Sequence, residues 1–262
     1  MKKAILISLA AAVLMPMAAW ATDVTVTADV FSAYVSRGAV GNDEPVFQPD
    51  ICFDMPYGFD FDLWANMDLT DNEKSWAPDS AWRWSEFDFQ LGWSAPLGDD
   101  SPVGIRVAST YYTYPQYDDD DDYDVSVAIK GNCPLNPKVR FVHECDRDDN
   151  YRLDFFLSHD IELVKDNLTL SLGAECTYGF DGWMEKWNRA DDEGNALVKA
   201  GDAGLVDVMA SVTLTYSITE NWSVGVSGHY SALIDGDARD AADIDDVDTD
   251  IFYCGLHTSW TF

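Results

Sequence analysis

Two acidic blocks are the first residues in this 262-residue chain whose types and spacing suggest chemistry. Asp118 to Asp122 is an unbroken run of five acids, and Asp235-Gly-Asp-Ala-Arg-Asp240 with Asp243 to Asp250 forms a second block. Hard cations such as calcium take several oxygen ligands, which makes Asp118, Asp120, Asp122, Asp235, Asp237 and Asp240 candidate ligands for divalent cations. Neither block has the glycine and terminal glutamate of an EF-hand. A solvated, self-repelling loop is the commoner meaning of such runs.

Four histidines invite a search for a hydrolase. His143 and His159 fall on expected outward faces, whereas His229 and His257 face inward with Ser227, Ser231 and Ser259 nearby. A nucleophile, a base and an orienting acid must meet within hydrogen-bond reach. The sequence supplies only serine–histidine neighbours, so no enzyme and no cofactor are expected. Cys52, Cys133, Cys145, Cys176 and Cys254 form an odd set with no C-x-x-C. An oxidising compartment permits disulfides but leaves at least one of these thiols over. Most read as structural. Trp76, Trp82, Trp84, Trp183 and Trp187 cluster in or beside two long links, where they would pack over a mouth or anchor the loops.

The elements that must position these groups alternate with a period of two. In Phe59-Asp-Phe-Asp-Leu-Trp-Ala-Asn-Met-Asp-Leu69 the odd positions are all apolar, while the even ones carry Asp60, Asp62, Asn66 and Asp68, with Trp64 the exception. Successive side chains of a strand point to opposite faces. Strands are expected near 23–38, 45–55, 59–69, 83–95, 102–114, 122–131, 137–147, 150–160, 167–179, 204–218, 221–233 and 250–262. Twelve is an even number, as a bacterial outer-membrane barrel requires. Short links (56–58, 164–167, 219–220) tend to alternate with long ones (70–82, 115–121, 180–203, 234–249). Residues 37–44 and 147–149 are shorter than that rule suggests.

Both ends of the chain carry an address. Residues 1–21 read as a secretory signal, with Lys2 and Lys3, an apolar run and a small-x-small end at Ala19-Trp20-Ala21. Residues 22–262 then form one barrel domain. Cleavage near Ala21 removes two lysines and no acids, taking the formal charge of −31 to −33, which repels nucleic acid. No later apolar run is long enough for a transmembrane helix, and only closure lets strands cross lipid without unpaired edges. The last strand ends at Phe262, resembling the C-terminal end that the barrel assembly machinery reads. Tyr151, Tyr178, Trp222, Trp260 and Phe262 would populate the interfacial girdles against outer-membrane lipid. The fold class is therefore all-β, a transmembrane antiparallel barrel of about twelve strands in the outer membrane.

Ser32-Ala-Tyr-Val-Ser-Arg-Gly38, followed by Pro45-Val-Phe-Gln48, resembles the opening of the TorF family of porins. Gly58-Phe59, Trp64-Ala65-Asn66, Glu86-Phe-Asp-Phe-Gln-Leu-Gly-Trp93 and Tyr112-Thr-Tyr-Pro115 continue the likeness across about residues 30–130. The acidic loops and five cysteines depart from that family's pattern. The resemblance implies a porin-like outer-membrane protein and names no substrate.

Closure sends the polar faces into a lumen. Its expected selectivity residues are Arg37, Asp60, Asp62, Asp68, Glu86, Asp88, Arg106, Asp124, Lys130, Arg140, Arg152, Asp154 and Glu175, with Arg83 at a strand end. Facing acids and bases either line a narrow pore or pair into a plug, since twelve strands lie between filled and open barrels. If the lumen conducts, its acidic excess favours cations and neutral solutes. The rival is a non-conducting structural or surface-interaction barrel.

Overall fold

The computed structural model describes residues 21–72, 81–97, 101–116, 121–145, 150–190, 194 and 196–262. Strand β1 (Asp23–Phe31) is followed by a small hairpin, β2 (Tyr34–Ser36) and β3 (Ala39–Asn42). Then come β4 (Val46–Asp54), β5 (Phe59–Asp68), β6 (Arg83–Pro96), β7 (Val103–Thr113), β8 (Asp122–Gly131) and β9 (Lys138–Glu144). The chain continues with β10 (Asn150–Val164), β11 (Leu168–Gly179), helix α1 (Asp181–Met184) and the short pair β12 (Arg189–Ala190) and β13 (Ala196–Val198). It ends with β14 (Gly204–Ser217), β15 (Trp222–Leu233), helix α2 (Gly236–Ile244) and β16 (Asp250–Thr261).

Twelve of these strands close an antiparallel barrel in the order β1-β16-β15-β14-β11-β10-β9-β8-β7-β6-β5-β4. The β1–β16 seam pairs Thr25 with Thr261 through Phe31 with Gly255, so no edge is left to meet lipid. Alternation fixes which face turns inward. One row of register partners runs Thr25, Cys52, Asp62, Gln90, Thr110, Asp124, Glu144, Asn150 around the inner wall. The outer wall exposes Leu91, Val107, Val127, Ile129, Phe141, Leu172, Val212, Val226 and Leu256. An apolar surface of that extent is a lipid face.

Aromatic groups gather at both rims. Trp222, Trp260 and Phe262 stack at one end, with ring centroids 5.8 and 5.9 Å apart. Phe141, His143 and Tyr151 stack at the other, where Tyr178 meets Phe180. Short turns, the start of β1 and Phe262 share the first end, which is the periplasmic one in bacterial barrels, and long links share the outer end.

Two expectations are corrected. The first strand stops at Phe31 rather than running to residue 38, because the chain reverses at Arg37 and Gly38. These residues, at φ 49 and 77, lie between β2 and β3, and positive φ at both central residues is the requirement of a type I′ hairpin turn. Residues 32–45 are thus one long outer link that folds into the lumen. The second acidic block is not an open loop: Asp235 accepts a hydrogen bond from Ala238 N at 3.0 Å and caps α2. Ala238 and Ala242 of α2 pack with Trp183, Met184, Val206 and Leu233 in a small core above the mouth.

Candidate functional site

The inner wall is polar because closure leaves it no other partner than water and itself. Its lysines and arginines are unevenly placed: one side is almost wholly acidic, and the other mixes bases with acids. Inward positions of β1 and β4–β6 carry Asp29, Asp50, Asp54, Asp60, Asp62, Asp68, Glu86 and Asp88, with Arg83 the one base, at the outer end beside Asp68. The lumen's other strand-borne bases, Arg106, Lys130, Lys138, Arg140 and Arg152, lie on β7–β10.

Into this lumen reaches the β2–β3 hairpin. Tyr34 donates to Glu86 at 2.7 Å and its ring stands 5.8 Å from Trp64, which anchors the hairpin to the acidic side. Arg37, at the tip, lines one cavity with Tyr112, Asp124 and Glu144. Gly38 lies so close to β14 and β15 that a Cβ there would meet Asp207 Cβ and Leu233 Cδ2 at 2.6 Å. The turn therefore needs glycine twice over, for its φ and for its space.

Four cavities follow one another along the lumen. The outer mouth, about 400 Å³, lies among Arg37, Trp183, Lys186, Trp187, Arg189 and Asp245. Lys186 and Arg37 also line an outer chamber of about 510 Å³. That chamber holds Asp50, Asp62, Glu86 and Asp88 on one side and Asp122, Asp124 and Glu144 on the other, with Arg140 and Arg152 as its further bases. A neck of about 210 Å³ comes next, sharing Arg37 and Arg140 with the outer chamber. The neck shares Glu175 and Met209 with a periplasmic chamber of about 770 Å³, which also holds Arg106, Lys130 and Lys138.

Ion pairs set the wall's rigidity. Arg152 is 1% exposed and holds Glu144 at 2.6 Å, Asp154 at 3.3 Å and Asp124 at 3.6 Å. Arg140 holds Asp154 at 2.7 Å. Arg106 grips Asp60 with both guanidinium nitrogens, at 2.5 and 2.6 Å, the two-pronged geometry that makes such pairs specific. Glu144 also accepts from Trp183 Nε1 at 3.1 Å and Lys186 Nζ at 2.5 Å, tying the outer cap to the wall. Burial pushes the Lys186 ammonium down to about 8 against the pull of Glu144, and Arg37 and Arg152 add to the depression. By contrast Asp50, Asp62 and Asp88 each keep a buried Oδ1 with no hydrogen-bond partner among the described residues.

Every expected lumen residue from Asp60 to Glu175 lies on the inner wall, and Arg37 reaches it from the hairpin. Asp122 lines the outer chamber, while Asp118 and Asp120 fall outside the described residues. Asp237 and Asp240 stand exposed on α2, apart from Asp122 in sequence and element. Among the described residues no three metal-ligating side chains converge. The signal segment up to Trp20 also lies outside the described residues. All five cysteines are free, with Cys52 on the inner wall and Cys176 and Cys254 on the lipid face.

Sequence reasoning missed Asp50, Lys138, Glu144, Lys186 and Asp207. The strand at 137–147 alternates poorly as a string, yet Lys138 and Glu144 sit in phase with Arg140. Lys186 and the tip of the hairpin come from loops, for which strand alternation carries no signal.

The lumen does assemble a histidine–serine–acid group. Ser227 Oγ lies 2.8 Å from His229 Nε2 and 2.6 Å from His257 Nε2, and His257 Nδ1 lies 3.1 Å from Asp29 Oδ1. The Asp29 oxygen is not aligned for a hydrogen bond, and Phe31 stands edge-on against both imidazoles at 5.6 and 5.2 Å. Ser227 is 7% exposed, and β15 is paired on both sides around it. Its backbone donors are thus committed to the ladder, whereas acyl transfer needs donors aimed at a developing oxyanion. The group is a packed polar knot.

Comparison with known proteins places this geometry. An outer membrane channel from Pseudomonas putida F1 superposes with a TM-score of 0.54 at 11% identity, over 92% of this chain and 96% of the channel. LpxR from Salmonella typhimurium gives 0.51 at 10% identity, over 90% and 99%. The NanC porin gives 0.50 at 10% identity, over 90% and 98%. At such identities the likeness is one of fold, that of outer-membrane barrels. No curated protein matches the chain by sequence. The family model described as MltA-interacting protein MipA matches residues 80–262, and the chain belongs to the MipA family.

Proposed function

We propose that this barrel is a narrow outer-membrane pore that passes small solutes by passive diffusion, favouring cations and neutral molecules. The observation that carries this reading is the series of four cavities sharing lining residues from the outer mouth to the periplasmic chamber. Arg37 and Arg140 stand where the outer chamber meets the neck, and conductance decides whether they narrow the path or close it. The selectivity roles of the lumen residues follow from their place on this path, with the acidic outer chamber drawing cations. Export by the leader at residues 1–21, insertion through the strand ending at Phe262 and the TorF-like opening at residues 30–48 fit the same reading.

Single-channel conductance of the refolded barrel in planar bilayers, under a salt gradient, tests it. Steady conductance with a cation-selective reversal potential is expected. A folded but silent barrel would sink the pore reading. The second reading, a barrel that serves as an interaction partner, is favoured by the family's description as MltA-interacting protein. It would then rest on the outer cap and the periplasmic turns rather than on the lumen, and lumen substitutions would leave it unmoved.

A further inference from the structure

The two main chambers carry opposite charge. Seven carboxylates face four bases in the outer chamber. In the periplasmic chamber Lys130 and Lys138 face Glu175, while Arg106 is already held by Asp60. Three outer carboxylates, Asp50, Asp62 and Asp88, still hold a buried Oδ1 without a donor among the described residues. Lys130 and Lys138 form no ion pair among the described residues, and Lys138 instead lies over the Phe156 ring at 3.7 Å. Lys130 and Lys138 stand directly opposite one another across β8 and β9. Between the chambers the neck is balanced, with Arg37 and Arg140 against Glu175 and Asp207.

We infer that the lumen selects extended zwitterions of short-peptide length, with the ammonium in the outer chamber and the carboxylate on Lys130 and Lys138. The length follows from the strand that spans both chambers. Asp124 and Lys130 are both on β8, about 20 Å apart at about 3.3 Å per residue, or about 15 Å along the axis at a tilt near 40°. An extended peptide of about four residues spans about 14 Å between its terminal charges. A single amino acid is too short to satisfy both chambers at once.

This proposal rests on the pore reading and adds a property that a pore with one sign of charge lacks. Cations enter the acidic chamber and anions the basic one, so current is larger when the outer side is positive and both ions accumulate at the neck. The test records current against voltage for the full-length refolded barrel inserted from one side. In about 0.01 M salt the Debye length is about 30 Å and the walls act at full reach, whereas in about 1 M it is about 3 Å. Currents at equal and opposite voltages are expected to differ about twofold or more in the dilute salt and to converge in the concentrated one. Tetraglycine is expected to interrupt the wild-type current, while glycine and end-capped tetraglycine pass without effect.

The double variant Lys130→Gln, Lys138→Gln removes two like charges that face each other, a pairing that itself disfavours the sheet, so it is expected to fold. It should lose both the asymmetry and the tetraglycine events and become more cation-selective. Silence in both salts would overturn the pore reading along with this one. Steady conductance that is symmetric in dilute salt, or asymmetry and tetraglycine events that survive the double variant, would overturn the zwitterion proposal alone.

Discussion

Replacing Gly38 by alanine should unseat the lumen hairpin without melting the barrel. Gly38 sits at φ 77, where an L-residue costs about 1–2 kcal/mol. Its new Cβ would also press on Asp207 Cβ and Leu233 Cδ2 at 2.6 Å, and overpacking of this kind costs about 1–3 kcal/mol. The sum, about 2–5 kcal/mol, shifts the ratio of seated to unseated hairpin roughly 30-fold or more, at 1.4 kcal/mol per decade. What holds the seat is of the same order. Tyr34 donates to Glu86, worth about 1.5–3 kcal/mol as a bond to a charged group, and buried Val40 adds about 1.5–3 kcal/mol. Gly38→Ala should therefore raise single-channel conductance and add noise, while thermal unfolding of the barrel stays where it was, because the β1–β4 and β1–β16 ladders do not include residue 38. Arg37→Gly is the companion: it relieves a non-glycine at φ 49 and keeps the seat, so conductance rises without added noise as the side chain leaves the constriction, and selectivity moves toward cations. A folded Gly38→Ala barrel with wild-type conductance and noise would refute the assignment of the hairpin as the constriction.

Three further outcomes follow from the walls and the cap. Arg152→Met leaves Asp124, Glu144 and Asp154 in a buried site without their shared base and should cost about 3–5 kcal/mol in urea unfolding, whereas Arg106→Gln, where Asp60 is buried but the guanidinium is a third exposed, should cost less, about 1–3 kcal/mol. Lys186 prefers its neutral form when folded, with its pKa lowered to about 8, so the penalty for its charge is present below that pH. Stability should rise with pH from about 8 up to the unfolded lysine value near 10.4; the reversal potential of the folded pore should turn more cation-selective around pH 8, where Lys186 itself loses its charge, and Lys186→Gln should abolish both changes. Trp183→Ala removes the buried centre of the outer cap and a donor to Glu144; limited proteolysis should then cut residues 180–203 at least tenfold faster while the barrel itself resists.

The twelve spanning strands were legible because lipid on one side and water on the other enforce strict alternation, and eleven of the twelve expected segments coincide closely with observed ones apart from their ends. What failed is instructive. The first strand was read too long because Tyr34-Val-Ser36 continues the alternation of β1; the signal for reversal is Arg37-Gly38, and an arginine stands where a type I′ turn usually has asparagine or glycine. Helix α2 hid inside an acidic block, although Asp235 before Ala238, Ala241 and Ala242 is a cap followed by small residues at helical spacing. The lumen candidates were found because strand parity places them. Their segregation was not found, since strand order around a barrel lets neighbouring walls be compared only after the walls are numbered.

That segregation is maintained against the ordinary preference of a sheet. Lys130 faces Lys138 directly, and Asp54 faces both Asp23 and Asp60. Like charges opposite one another destabilise antiparallel pairs by up to about 1 kcal/mol each. Arg106 relieves Asp60 by reaching across from β7, but among the described residues no ion pair relieves the lysines. Exchanging one lysine for one aspartate would pair both walls and strengthen the barrel. A fold needing only closure and solubility would drift toward that arrangement, because each exchange is stabilising and the inner wall tolerates any polar residue. Keeping β1 and β4–β6 almost wholly acidic and Lys130 opposite Lys138, beside a mixed wall on β8–β10, brings no gain in stability, and a solute that feels both fields as it crosses is the benefit we propose for it.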